Sequence, residues 1–432
     1  MIKSRIKRIW KSSLVKNVLV VASGTAGAQA IGLAFVPFIT RLYGPEVYGV
    51  LGTFIALTTI LTAASALAYP IAIVLPKSDS DAKGIVKLSL IVAALISFST
   101  FIILLLVGEW IMKKIGATDL IDFMFFLPVV MFLVACQDVA QQWLIRQNSF
   151  GNLAKVFVAH SFFNYGVQTL AGIYTPISSV LISVYTLAIT VRTALTGYIG
   201  VKISKRTTTK SSKKLSLKSL ALEYIDFPLY QAPQIVLKSI SGSLPLLMLA
   251  AFFGPASAGF YALTRTVLGL PVTLLGASVR SVFYPHFNEV VLNNKKTLPV
   301  LMKSIASLMM VGIWPFILLM FFGPYLFSLV FGSEWYQAGK YAQWLSIHIY
   351  FILISIPVVS SIPVLKLQRW LLFYEVVTTI LQFLIVYTIY NIYSDELITI
   401  AVYSLTGTLI TSIMIIKGCI SAKKFDEVCL IN

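Results

Sequence analysis

The sequence predicts an all-α polytopic membrane protein with about 12 transmembrane helices in two six-helix lobes, related by a pseudo-two-fold axis along the membrane normal. Three observations lead there: a composition too apolar for a soluble chain, a succession of span-length apolar runs, and a one-sided distribution of basic residues. Of the 432 residues 58% are hydrophobic and 12% charged, and the mean hydropathy is +0.88, far from the balance of a soluble domain.

A membrane helix needs about 20 consecutive apolar residues. Such runs lie near 18–40, 48–70, 86–108, 122–145, 153–173, 177–200, 226–252, 257–285, 299–322, 341–362, 371–393 and 397–417. The stretch from Val156 to Val191 carries no full charge. As one helix it would be roughly 54 Å long, too long for a single crossing, so it is divided at Thr175-Pro176. The runs are continuous rather than alternating, which argues against an outer-membrane strand barrel. Residues 1–17 are basic, but the run after them is full span length with no convincing cleavage site, so no signal peptide is expected.

The formal net charge is +18. With a cytoplasmic N-terminus, 28 of the 34 Lys and Arg fall on the cytoplasmic side, eight of them in 192–218. Arg41, Lys113, Lys114 and Lys340 fall outside, and Lys238 and Arg265 lie within spans. The positive-inside rule accounts for this excess, so nucleic acid is not an expected partner. The reading is a basic cytoplasmic tail (1–17), an N-terminal lobe (18–200), a basic cytoplasmic linker (201–222) facing anionic lipid headgroups, a C-terminal lobe (223–418) and a cytoplasmic tail (419–432). The outer loops are short, the longest about 18 residues near 323–340, which leaves no room for an external catalytic domain. Cys136, Cys419 and Cys429 have no CxxC pairing, and His160, His286 and His348 have no ligand spacing. No nucleotide-binding pattern occurs, so neither an enzyme nor a metal or cofactor site is expected.

Residues 43–70 and 253–285 share Gly-Pro-x-x-x-Gly and end in Tyr-Pro. Six crossings per half restore the starting side, so this reads as a parallel repeat with a substrate cavity between the halves. Polar residues recur at helical intervals: Asp226, Tyr230, Gln234 and Lys238; Tyr261, Arg265 and Gly269; His160, Asn164 and Gln168; Asp138, Gln142 and Arg146. A charge near mid-membrane costs about 2.5–3.5 kcal/mol on insertion scales, so Lys238 and Arg265 should face protein or water. The helix 5 amides and imidazole serve equally well to bond helix to helix. Asp138 has two candidate partners, Arg146 on its own helix or a cation from the other half.

The segment "LEYIDFPLYQAPQIVLKSISGSLPLLMLAAFFGPASAGFYALTRTVLGLPVTLLGASVRSVFYPHFNE" (222–289) resembles the start of the second half of Wzx-type polysaccharide flippases. "RLYGPEVYGVLGTFIAL" (41–57) and "QQWLIRQNSFGNLAK" (141–155) are similar to elements of their first half. The likeness covers most of residues 20–290 and weakens beyond 300, where "FGSEWYQAGKYAQWL" (331–345) still resembles the family.

These motifs belong to the polysaccharide branch of the multidrug/oligosaccharidyl-lipid/polysaccharide exporter superfamily. The resemblance implies an inner-membrane flippase that moves undecaprenyl-diphosphate-linked oligosaccharide from the cytoplasmic to the periplasmic leaflet by alternating access. It would serve O-antigen, capsule or exopolysaccharide synthesis, next to membrane lipids and a polysaccharide polymerase. A lipid diphosphate needs Lys or Arg donors in a low-dielectric cavity. The expected substrate-binding set is therefore Lys238, Arg265, Gln234, Gln231, Tyr230 and Tyr261, with Arg41 at the outer end of the first span. Asp138 is the candidate for coupling to an H⁺ or Na⁺ counter-ion. The alternatives are a cation-coupled multidrug antiporter of the same superfamily, or a membrane enzyme of polysaccharide assembly.

Overall fold

The computed structural model describes residues 13–206, 215–293 and 295–429. Most of the expected basic tail (1–17), the middle of the expected linker (207–214) and the last residues of the expected C-terminal tail (430–432) lie outside the described residues. Among the described residues every regular element is helical. Ser13–Ser65 is broken at Gly44 (φ 68°, ψ 174°) into α1 (13–43) and α2 (45–65). The other long helices are α3 (Asp79–Lys114), α4 (Phe126–Arg146), α5 (Phe150–Tyr174), α6 (Ser178–Arg206), α7 (Ala232–Phe253), α8 (Pro255–Leu292), α9 (Leu298–Phe331), α10 (Tyr336–Ser361), α11 (Gln368–Tyr393) and α12 (Glu396–Cys429). Ten helical stretches pass a test of length and apolarity for membrane crossing, with Val20–Ser65 counted as one. Dividing that pair at Gly44 and adding α5 gives the 12 expected crossings.

Local chemistry explains the ends. Ser78 caps α3 by accepting from the N–H groups of Ser80 and Asp81 at 3.1 and 3.4 Å, and Asp79 and Asp81 meet the positive end of the helix dipole. The break between α5 and α6 falls at residues 175–177, where Pro176 has no N–H to continue the helix. Of the stretch 201–222, residues 201–206 continue α6, and 217–222 belong to a short helix, Leu217–Glu223. Leu220 of that helix is buried with Ala82, Ile85 and Trp143.

The chain divides into two compact units, Met1–Tyr43 with Val50–Leu247, and Gly44–Gly49 with Met248–Asn432. In the first, Arg146 at the end of α4 makes a two-pronged ion pair with Asp79, at 3.0 and 2.8 Å, and donates to the carbonyls of Ile73 and Pro76 at 3.2 and 2.7 Å. The guanidinium thereby closes the turn between α2 and α3.

The second unit contains the Gly-Pro-x-x-x-Gly repeat as a physical object. Gly254 adopts φ 88°, ψ 179°, nearly the conformation of Gly44. Glycine is suited to this positive φ, and the following proline opens each helix where its missing N–H costs nothing. The two helix starts then cross reciprocally. A Cβ on Gly49 would overlap the carbonyl oxygen of Pro255, and a Cβ on Gly259 would overlap that of Pro45. Trp335, 1% exposed, lies beside the crossing and takes edge-on contacts from Tyr48 and Phe260 at 5.5 and 6.1 Å.

Farther along this unit, α12 ends in a tie that hydropathy does not reveal. Asp426 accepts from the Thr297 N–H at 2.6 Å, the Thr297 hydroxyl at 2.7 Å and the Leu298 N–H at 3.0 Å, and so caps the start of α9 from a distant helix. Asp426→Ala leaves those buried donors without an acceptor and is expected to destabilise the fold by about 1–3 kcal/mol. A lowered melting temperature in detergent, partly restored in Asp426→Asn, checks this.

Candidate functional site

In the second unit the expected pair Tyr261 and Arg265 is brought together. They stand one turn apart on α8, where residues four apart share a face, and the Tyr261 side chain is hydrogen-bonded to the guanidinium. Arg265 lies roughly 15 Å along α8 from Pro255. Tyr403 of α12, 7% exposed, joins the same cluster electrostatically. His348 of α10, also 7% exposed, faces Tyr403 with ring centroids 5.7 Å apart and packs on Gly407. One residue before Arg265, the Thr264 hydroxyl donates to the Ala338 carbonyl at 2.8 Å, fixing α8 against α10. Sequence spacing finds Tyr261 and Arg265 but misses Tyr403 and His348, which come from helices distant in the chain.

In the first unit the stripe on α7 is only partly regular. Phe227–Gln231 forms a π-turn, with the Ala232 N–H donating to the Phe227 carbonyl. Pro233 has no N–H to give the carbonyl four residues back, and widening the turn relieves that fault. The wider turn breaks the four-residue interval between Asp226 and Gln234, so the expected continuous stripe holds only for Gln234 and Lys238. Both are exposed, as are Tyr230 and Gln231. Among the described residues Lys238 makes no hydrogen bond or ion pair. Arg41, near the C-terminal end of α1, is exposed.

Asp138 does not pair with Arg146, whose guanidinium is taken by Asp79. The charge acting on Asp138 is that of Arg192. The charge sorting above places Arg192 with the cytoplasmic linker; the structure corrects this. Arg192 sits in the middle of α6, roughly 21 Å from either end at 1.5 Å per residue, with its guanidinium 5.2 Å from the centre of the Phe157 ring. A signal was present in the sequence, because the next charge after Arg192 is Lys202, too far along for Arg192 to lie at a helix end. On α5, Gln168 donates to Asn164 at 3.1 Å, and the Gln168 carbonyl accepts from the Tyr43 hydroxyl at 2.9 Å. The two amides therefore bond to each other within α5, and it is the main chain of Gln168 that ties α5 to α1.

Each unit thus sets a guanidinium deep within a membrane helix, among phenols and a histidine. Such a planar fork of N–H donors suits carboxylate or phosphate. Solved structures that align with nearly the whole chain include membrane transporters. The lipid II flippase MurJ in an inward closed conformation aligns with a TM-score of 0.71 at 13% identity, covering 96% of this chain and 91% of that one. An inward-facing multidrug resistance MATE family transporter of the MOP superfamily gives 0.65 at 14%, covering 94% and 95%. A MOP superfamily transporter from Pyrococcus furiosus, described as having a binding pocket of reverse polarity, gives 0.62 at 14%, covering 95% and 96%. No curated protein matches in sequence. The chain shares the fold of these solved structures and is a multi-pass membrane protein. Residues 38–340 match the polysaccharide biosynthesis protein family, and the chain belongs to it, in agreement with the resemblance to Wzx-type flippases.

Proposed function

We propose that this protein is a flippase that carries undecaprenyl-diphosphate-linked oligosaccharide from the cytoplasmic to the periplasmic leaflet of the bacterial inner membrane. It works by alternating access, with both termini cytoplasmic. The observation that carries this reading is Arg265, a guanidinium deep in a membrane helix and bonded to Tyr261, in a chain of a polysaccharide biosynthesis family. A diphosphate brings concentrated negative charge into a low-dielectric region, where a fixed guanidinium offsets its desolvation. Lys238, exposed on α7, supplies a second cation. Gln231, Gln234, Tyr230 and Tyr261 offer amide and aromatic surfaces to sugars, Arg41 meets the substrate at the outer end, and Asp138 couples transport to H⁺ or Na⁺.

The test is transfer of a fluorescent undecaprenyl-diphosphate oligosaccharide across proteoliposomes. Wild type should transfer it, and Lys238→Ala should slow transfer about tenfold, the worth of one charge-assisted contact. Equal rates with and without protein would overturn the reading. The fold shared with MATE transporters keeps a second reading in view, a cation-coupled drug antiporter. Uptake of a cationic dye driven by an ion gradient, with no lipid transfer, would establish that one.

A further inference from the structure

Of the polar cluster around Arg192 in the first unit, the function just proposed uses Asp138 alone. The cluster draws on three helices. Asp138 comes from α4, Phe157 and His160 from α5, and Tyr185 and Arg192 from α6. The Thr193 hydroxyl donates to the Leu133 carbonyl at 3.1 Å, which holds α6 to α4 beside the guanidinium. Tyr185 is held from α2 by an edge-on contact with Phe54 at 6.1 Å.

Two polar atoms here have nothing to bond: Arg192 Nε and His160 Nε2 are buried and without a hydrogen-bond partner. Buried polar groups are nearly always satisfied, and those that are not call for an explanation. Asp138 and Tyr185 both interact electrostatically with Arg192, but among the described residues no hydrogen bond or ion pair joins Asp138 to it. The attraction helps hold a cation in the membrane interior, while the Nε edge of the fork stays unoccupied. That edge, paired with a terminal nitrogen, is the one that grips a carboxylate or phosphate with two parallel bonds.

We infer that the first unit contains an oxyanion site centred on Arg192, built to take a carboxylate or phosphate group, with Asp138 as its resident competitor. The ligand's oxygens bond the Nε edge. The neighbouring carboxylate repels the same ligand, so the site holds an anion weakly enough to release it. The inference rests on the flippase reading only for the source of the anion: a lipid diphosphate supplies phosphate and an acidic sugar supplies carboxylate.

The test is calorimetric titration of the purified full-length protein at one fixed pH with inorganic diphosphate and, separately, with glucuronate. It uses a Lys238→Ala/Arg265→Ala background, so that those cations do not contribute. At least one of the two probes should bind. Arg192→Gln should weaken that binding at least about tenfold, and Asp138→Asn should strengthen it by a similar factor. A gain on removing a carboxylate is a result that a packing role for Asp138 does not produce. If Arg192→Gln fails to accumulate, Arg192→Lys carries the test, because it keeps the charge and lacks Nε; weaker binding is again expected. Binding of diphosphate alone assigns the site to the lipid headgroup, and binding of glucuronate alone assigns it to an acidic sugar. Binding of neither, unchanged affinity in the Arg192 variants, or no gain in Asp138→Asn overturns the inference. Arg192-dependent binding in a protein that transfers no lipid-linked oligosaccharide overturns the flippase reading and leaves this site standing.

Discussion

Gly49→Ala protein is expected to reach the membrane in reduced amount and to melt well below wild type, and Gly259→Ala to behave alike. At each position the new methyl overlaps a backbone carbonyl, of Pro255 in one case and Pro45 in the other. A backbone cannot rotate out of the way as a side chain can, so the two helix starts must separate. Overpacking typically costs about 1–3 kcal/mol, and a clash with main chain belongs at the upper end. The control is Gly166→Ala on α5, where a Cβ meets nothing within 4 Å; it should melt at or above wild type, since alanine favours helix over glycine. The double variant should cost less than the sum of the two singles, because both open the same crossing. Thermal melts in detergent of all four proteins decide it, and additive effects would show that the two glycines act at separate places.

Arg265→Ala should reduce lipid-linked oligosaccharide transfer by about 100-fold or more while leaving the amount of folded protein near normal. A bidentate guanidinium–phosphate contact comprises two charge-assisted bonds of about 1.5–3 kcal/mol each, and alanine removes both. Arg265→Lys keeps the charge without the fork and should fall between the two. Tyr403→Phe removes only the hydroxyl of the phenol beside the guanidinium and should slow transfer less than Arg265→Lys does. The rate in proteoliposomes, corrected for reconstituted protein, is the measurement. Wild-type transfer by Arg265→Ala would move the headgroup contact elsewhere.

The spans could be read because hydropathy reports length directly, and even the division at Thr175-Pro176 rests on a local fact, the missing proline N–H. The paired Gly-Pro turns were legible for the same reason, since positive φ and a helix-opening proline are written in adjacent residues. Arg265 and Tyr261 followed from four-residue spacing. What escaped depends on partners far along the chain. Arg146 finds Asp79 at a separation of 67 residues, and Asp426 caps α9 from 129 residues away. No periodicity marks either pair. The π-turn at Phe227–Gln231 escaped because Pro233 permits several remedies and only packing selects one. Arg192 is the instructive miss: its neighbours in sequence said membrane, and the basic stretch beyond it drew it to the wrong side.

The reciprocal crossing of the two Gly-Pro turns also bears on the order of assembly. Residues 44–49 pack with the second unit, and their partner Gly259 follows Gly49 by 210 positions. At about 5–20 residues per second, translation needs roughly 10–40 s to deliver it. For that interval the turn between α1 and α2 stands in the nascent chain without its partner. A glycine-lined backbone is left uncovered until the later half arrives, so the first turn is open to capture or cleavage throughout that interval.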